Sequence, residues 1–264
     1  MASIATLMEP AMNTSRRLFV RIGALGLVAA SLCGAAHAWS WSSGERVTGN
    51  GDIATEARDT GAFDSVALSG GFTVVIRQGS GNKVEVKADR NLLPYIETRV
   101  VDGGKGRTLQ IAPRKNTDLS TSTNPSFVIE MPALRAVSVA GSGKIKVEAM
   151  KTGGVDADIA GSGDIRFAQL DAERLGMRVS GSGDIVAAGR CANAMVSIAG
   201  SGNVRAAELA ADEVKVSIAG SGDAQVNATK KLNVSIAGSG DVKYAGSPEI
   251  TSSIAGSGKV RRMN

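Results

Sequence analysis

A chain of 264 residues with 30 Lys and Arg against 25 Asp and Glu carries a formal charge of +5, and 43% of it is apolar. That is enough for a sizeable core, and too little charge to suggest a nucleic-acid binder. The only histidine is His37 and the only cysteines are Cys33 and Cys191, so histidine-dependent triads, imidazole metal sites and thiolate clusters are excluded from everything beyond the first 38 residues.

Residues 1–38 read as a signal peptide. Arg16, Arg17 and Arg21 form its basic start, and Ile22 to Leu32 its apolar core. That core is too short to span a bilayer, and Ala36-His37-Ala38 is a small-x-small cleavage site. Met12 is the expected true start. Ser15 to Arg21 (SRRLFVR) resembles the twin-arginine export motif, with an ordinary secretory signal as the competing route. The mature chain would begin at Trp39 with 27 basic and 24 acidic side chains, a net +3. The protein is expected to be exported, to the periplasm, the outer surface or the medium, with no transmembrane segment once the leader is gone.

Residues 39–59 are polar and glycine-rich, and are expected to be a flexible lead-in. From Phe63 onward apolar and polar residues alternate, with Val66 and Leu68 before Gly70-Gly71 and Phe72, Val74 and Ile76 after it. A turn at Gly79-Ser80-Gly81 leads to a strand through Val84 and Val86. Asn91 to Ile96 breaks the alternation, which suggests one helical turn near Pro94. Glu97 to Val101 and Thr108 to Ala112 read as a hairpin closed by Asp102 to Arg107, a tip that lacks the features of a phosphate loop. Asn116 to Ser126 reads as a polar loop and Phe127 to Met131 as a strand.

The C-terminal half is organised by Gly-Ser-Gly triplets beginning at residues 141, 161, 181, 200, 220, 238 and 256, spaced 20, 20, 19, 20, 18 and 18 apart. Each follows a run of alternating, mostly β-branched residues, such as Val214, Val216 and Ile218, and precedes another such as Ala224 and Val226. Alternation with period two buries one face of a strand. A unit of this length cannot bury that face alone, whereas stacked copies can. Helical repeats are ruled out by the wrong period and by the cost of about 1 kcal/mol per interior glycine. The expected fold is all-β: a parallel β-helix, or solenoid, of about 20 residues per coil, right-handed as parallel crossovers prefer. It would form one domain over residues 60–262, with an irregular N-terminal β part at 60–135 and regular repeats at 136–262. Coils about 4.8 Å apart give the array a length of roughly 29 Å.

The segments FDSV and GGFTVVI, then NLLPYIETRV, LQIAP and VIEMPALRAVSVAGSGKI, resemble the head GIN domain family, over roughly residues 60–262. The resemblance implies an exported β-helical protein of the auto-transporter adhesin-head type, with a cell-surface or glycan partner.

Two rows are candidate sites. The residue after each triplet is Lys144, Asp164, Asp184, Asn203, Asp223, Asp241 and Lys259. Stacking would turn Asp164, Asp184, Asn203, Asp223 and Asp241 into a ladder that could hold weakly bound calcium, although Asp and Asn also favour such turns for their own backbone bonding. The same carboxylates could form an acid–base pair of a carbohydrate-active enzyme. Such a ladder meets the required distance automatically, and only Trp39, Trp41, Tyr95 and Tyr244 are available to stack on sugars, so the chain reads as non-catalytic and without a cofactor. The serine row from Ser142 to Ser257 is expected to bond along the stack. Lys144 and Lys259, with Arg261 and Arg262, are expected to blunt the ends of the array against fibre-like addition; the alternative reading is a homo-oligomer, a self-assembling structural envelope protein. Charges elsewhere look scattered along the chain. Cys191 reads as a small, semi-buried residue rather than a reactive thiol.

Overall fold

The computed structural model describes residues 44–103 and 106–263, so the expected signal peptide, Trp39 and Trp41 lie outside the described residues. Alternating burial runs through the strands that enclose the core, because β-branched and other apolar residues at every second position place one face inward. The result is a parallel β-solenoid of about six turns, about 20 residues apart.

In chain order the strands are β1 (Glu45–Thr48), β2 (Ile53–Arg58), β3 (Ser65–Gly70), β4 (Thr73–Gln78), β5 (Lys83–Asp89), β6 (Ile96–Gly103), β7 (Gly106–Pro113), β8 (Thr117–Ser120) and β9 (Ser126–Met131). Then come β10 (Ala136–Gly141) and the long strands β11 (Lys144–Gly161), β12 (Asp164–Gly181), β13 (Asp184–Gly200), β14 (Asn203–Gly220) and β15 (Ala224–Gly238). The last three are β16 (Val242–Ala245), β17 (Glu249–Gly256) and β18 (Val260–Arg262). One 3-10 turn, Leu93–Tyr95, sits where the alternation fails.

The glycine corners lie directly over one another: Gly70 pairs with Gly141, and the row continues through Gly161, Gly181, Gly200, Gly220 and Gly238 to Gly256. From Ser162 to Ser257 the serine amide at the corner donates to the first glycine of the coil before, as from Ser201 to Gly181 O at 2.9 Å. Unequal coil lengths are absorbed away from the corners, by register shifts such as those between Phe167 and Leu170 and between Ala206 and Ala210. The corner divides each coil into an entering sheet and an exiting sheet.

The N-terminal part closes one end of the stack. On the entering side β7 stacks parallel on β3, and β6 covers β7 antiparallel. On the exiting side β9 stacks parallel on β4, β5 lies antiparallel to β9, and β2 antiparallel to β5. Phe72 and Phe127 pack there with ring centroids 6.0 Å apart.

Two expectations are corrected. Within the stretch expected to be a flexible lead-in, residues 45–48 and 53–58 are strands, and β1 pairs with β8 inside the expected polar loop. The tie is polar: Arg46 reaches Asp118 at 2.9 Å, and the Asn91 side chain donates to Thr48 O at 2.8 Å and accepts from the Asn50 amide at 3.1 Å.

Asp89 anchors this region. Its carboxylate is buried and accepts from the Thr121 hydroxyl at 2.5 Å and the Gly51 amide at 2.6 Å. The Thr121 hydroxyl is the largest influence, and it holds the carboxyl below its ordinary value of 3.8 against the opposing effect of burial. A carboxylate with a depressed pKa stabilises the fold above its unfolded value, and that contribution disappears as pH falls through the folded value. Asp89→Ala is therefore expected to lower stability at neutral pH, with the gap from the parent closing below about pH 4. Denaturant titrations at a series of pH values check this.

Candidate functional site

The exiting sheet carries the rows that could bind something. Its outward positions alternate with buried ones such as Ile145, Ile165, Ile185 and Val204, so every second residue after a corner faces solvent in line with its counterparts.

The first outward row is the expected Asp/Asn ladder, and its members are in register from Lys144 to Asn203. Their oxygens already have partners. Asp164 Oδ2 lies 3.2 Å from Lys144 Nζ. Asp184 accepts from Asn203 Nδ2 and from the Arg205 guanidinium, both at 2.9 Å. Further along, each side chain accepts the amide of the next coil: Asn203 Oδ1 from Asp223 at 3.3 Å, Asp223 Oδ1 from Asp241 at 2.8 Å, and Asp241 Oδ1 from Lys259 at 2.9 Å. Among the described residues no group of three or more His, Cys, Asp or Glu is arranged to hold a metal ion. The ladder uses its oxygens to join coils. Asp223→Ala is expected to cost about 1 kcal/mol through the lost bond, and millimolar calcium to leave the melting temperature unchanged. Thermal unfolding with and without calcium checks both.

Lys144 does not end the array, because Thr73 of β4 pairs beside it. Of the four residues expected to blunt the ends, only Lys259, Arg261 and Arg262 stand at one. All seven serines of the corner row are exposed, and the stacking bonds described above run through their amides rather than their hydroxyls.

The second outward row escapes a reading along the chain. Lys146, Arg166, Val186, Arg205, Gln225, Lys243 and Arg261 are in register, five of the seven basic. The expectation of scattered charge is thus corrected: stacking collects cations that are about 20 residues apart. The signal was present in the sequence, since each of the seven is the fifth residue after the first glycine of its triplet. Val186 is the short member between Arg166 and Arg205, and there the face dips into an open groove of about 390 Å³ lined also by Lys146, Asp184 and Thr73. Arg166, Lys243 and Arg261 are exposed. Lys146 lies a loose 3.6 Å from Glu148. Two coils separate Arg166 from Arg205 and Arg205 from Lys243, a spacing of roughly 10 Å.

Tyr95 and Tyr244 do not form a stacking platform: one lies in the 3-10 turn at the closed end, the other in β16 with its ring against the core. Cys191 is 7% exposed. Burial, with the Asp212 carboxylate adding to it, pushes its thiol up to about 11, so it stays protonated and unreactive.

A family model described as "Putative auto-transporter adhesin, head GIN domain" matches residues 62–248. Among solved structures, a "putative adhesin" from Bacteroides fragilis NCTC 9343 is similar with a TM-score of 0.75 and 24% identity, over 82% of this chain and 100% of its own. A "Putative lipid binding protein" from Parabacteroides distasonis ATCC 8503 has a TM-score of 0.66 and 28% identity, over 83% and 100%. A "putative adhesin" from Parabacteroides merdae ATCC 43184 has 0.67 and 24%, over 83% and 100%. No curated protein matches the chain.

Proposed function

Because the chain belongs to the head GIN domain family, we infer that it is an exported, non-catalytic surface-binding module, and that the exiting face holds an extended anionic polymer such as an acidic cell-surface glycan. The leader read at residues 1–38 supports export, and the adhesin descriptions of the family and of its structural neighbours support a surface role. The observation that carries the ligand class is the row of five cations in line on one flat face.

Guanidinium groups bind carboxylate and sulfate bidentately. From Arg166 through Arg205 to Lys243 the cations stand on alternate coils, which suits a chain with one anionic group per disaccharide. The groove at Val186 gives a sugar ring an aliphatic floor between Arg166 and Arg205. Nucleic acid fits poorly: each strand of duplex DNA carries a phosphate for about every 3.4 Å of helix axis, far denser than cations roughly 10 Å apart, and single strands need aromatic platforms that this face lacks among the described residues. The acidic row alongside favours sparse over dense negative charge.

The test is binding of the protein to a polyuronate, a sulfated glycan and a neutral glucan at two salt concentrations. Saturable, salt-sensitive binding to an acidic glycan is expected, weakened at least tenfold in Arg166→Ser/Lys243→Ser/Arg261→Ser. Equal affinity for the neutral glucan would overturn the ligand class. Binding to anionic vesicles alone would instead favour a lipid surface, in keeping with the description of the Parabacteroides distasonis neighbour. New reducing ends, lost in Asp184→Asn or Asp223→Asn, would revive the enzyme reading.

A further inference from the structure

The two ends of the solenoid are built differently. Antiparallel strands close the N-terminal end, whereas among the described residues β17 pairs only with β15 and β18 only with β16, both in parallel. Each therefore presents a free edge of backbone donors and acceptors.

The two free edges differ in protection. The β18 edge carries Lys259, Arg261 and Arg262, the kind of charge that discourages strand addition. β17 has Glu249 at its first position and neither charge nor proline from Ile250 to Gly256. Ile250 and Ile254 are in register with the buried Leu232 and Ile236, yet they are 40% and 42% exposed. They occupy core positions, and among the described residues no coil lies above them.

The order Ile250-Thr251-Ser252-Ser253-Ile254 is nearly the same read from either end. Laid antiparallel against a second copy and centred on Ser252, it sets each Ile250 opposite Ile254 of the other copy and each Thr251 opposite Ser253. A slip of one residue would oppose inward and outward faces, and a slip of two would set isoleucine against serine. A two-fold axis through Ser252 and normal to the sheet continues the entering sheet from one copy into the next, with both inward faces on the same side. The same rotation carries the two β18 strands to opposite sides of the axis, so their cations do not meet.

We propose that β17 is a homodimerisation strand, through which two copies of this chain pair edge to edge about Ser252 and cover each other's Ile250 and Ile254. The interface is isologous and closes at two copies. It is independent of the glycan reading, but it sets two basic faces on one particle and so raises avidity for a repeating ligand.

The experiment is oxidative crosslinking of Ser252→Cys together with light-scattering mass. Opposed Cα atoms of an antiparallel pair lie about 4.5 or 5.5 Å apart, both within disulfide reach. Ser252→Cys is expected to give a covalent dimer, whereas the parent protein and Ser217→Cys, in the middle of the same sheet, are not. The parent is expected to double its monomer mass as concentration rises, and Ile250→Arg and Ile254→Arg each to return it to monomer. Both isoleucines are already exposed, so circular dichroism of the two variants is expected to match the parent. A parent that stays monomeric without a Ser252→Cys crosslink would overturn the proposal. So would a mass that grows past two copies, which would mean head-to-tail addition, or a dimer that survives both arginine variants.

Discussion

Gly200→Ala is expected to destabilise the protein by about 4 kcal/mol, among the largest effects of any single substitution. Gly200 has φ +129°, a conformation that costs a side chain about 1–2 kcal/mol by itself. The larger part is steric. A Cβ there would overlap the carbonyl oxygen of Gly181 in the coil before and stand 3.2 Å from that residue's nitrogen. The coils cannot move apart to make room, because the Ser201 and Gly202 amides both donate to that same oxygen, at 2.9 and 3.0 Å. Gly153→Ala is the contrast. Gly153 is exposed, lacks a positive φ, and would place its Cβ with nothing within 4 Å. It is expected to change stability by less than about 0.5 kcal/mol. Thermal melts of the two variants, expected to differ by about 10 °C, check the pair. Similar melting temperatures would mean that the corners are less tightly stacked than described.

Phe167→Ala is the second large effect, at about 3–5 kcal/mol. Phe167 is fully buried and sits in a cross-coil row between Val147 and Ala187. The large ring fills space that the small Ala187 leaves, so its removal opens a cavity that no neighbour can fill while the strands stay in register. Phe167→Leu is expected to cost much less. Denaturant unfolding of the two variants, compared at constant m-value, checks the difference.

The architecture was legible because a coil contacts its neighbours at one fixed sequence distance. Gly141, Gly161 and Gly181 announce their stacking by recurring, and Val214, Val216 and Ile218 announce their buried face by alternating. What stayed hidden lacks such a period. β1 and β8 are four residues each, polar, and joined by contacts such as Arg46 with Asp118 across 72 positions, so neither looks like a strand alone. The antiparallel covering by β2 and β5 leaves no repeat to count, whereas the hairpin of β6 and β7 was read from its own alternation. Lys144 looked terminal only because Gly70-Gly71 is a poor copy of the triplet. At the site, the Asp/Asn ladder could be placed from the sequence, but its use could not, since whether Asp223 turns its oxygen to the next coil's amide depends on the path of the backbone there. The basic row was missed because charge was read along the chain, whereas the fold adds it up across coils.

Coils held in register by their immediate neighbours can be lost one at a time. A tug on the C terminus loads the bonds of β17 and β18 first and leaves the rest of the stack intact. Each coil released pays out roughly 70 Å of slack, so a tethered molecule would lengthen by steps under load, dissipating work as a shock absorber does while the remaining coils keep their grip.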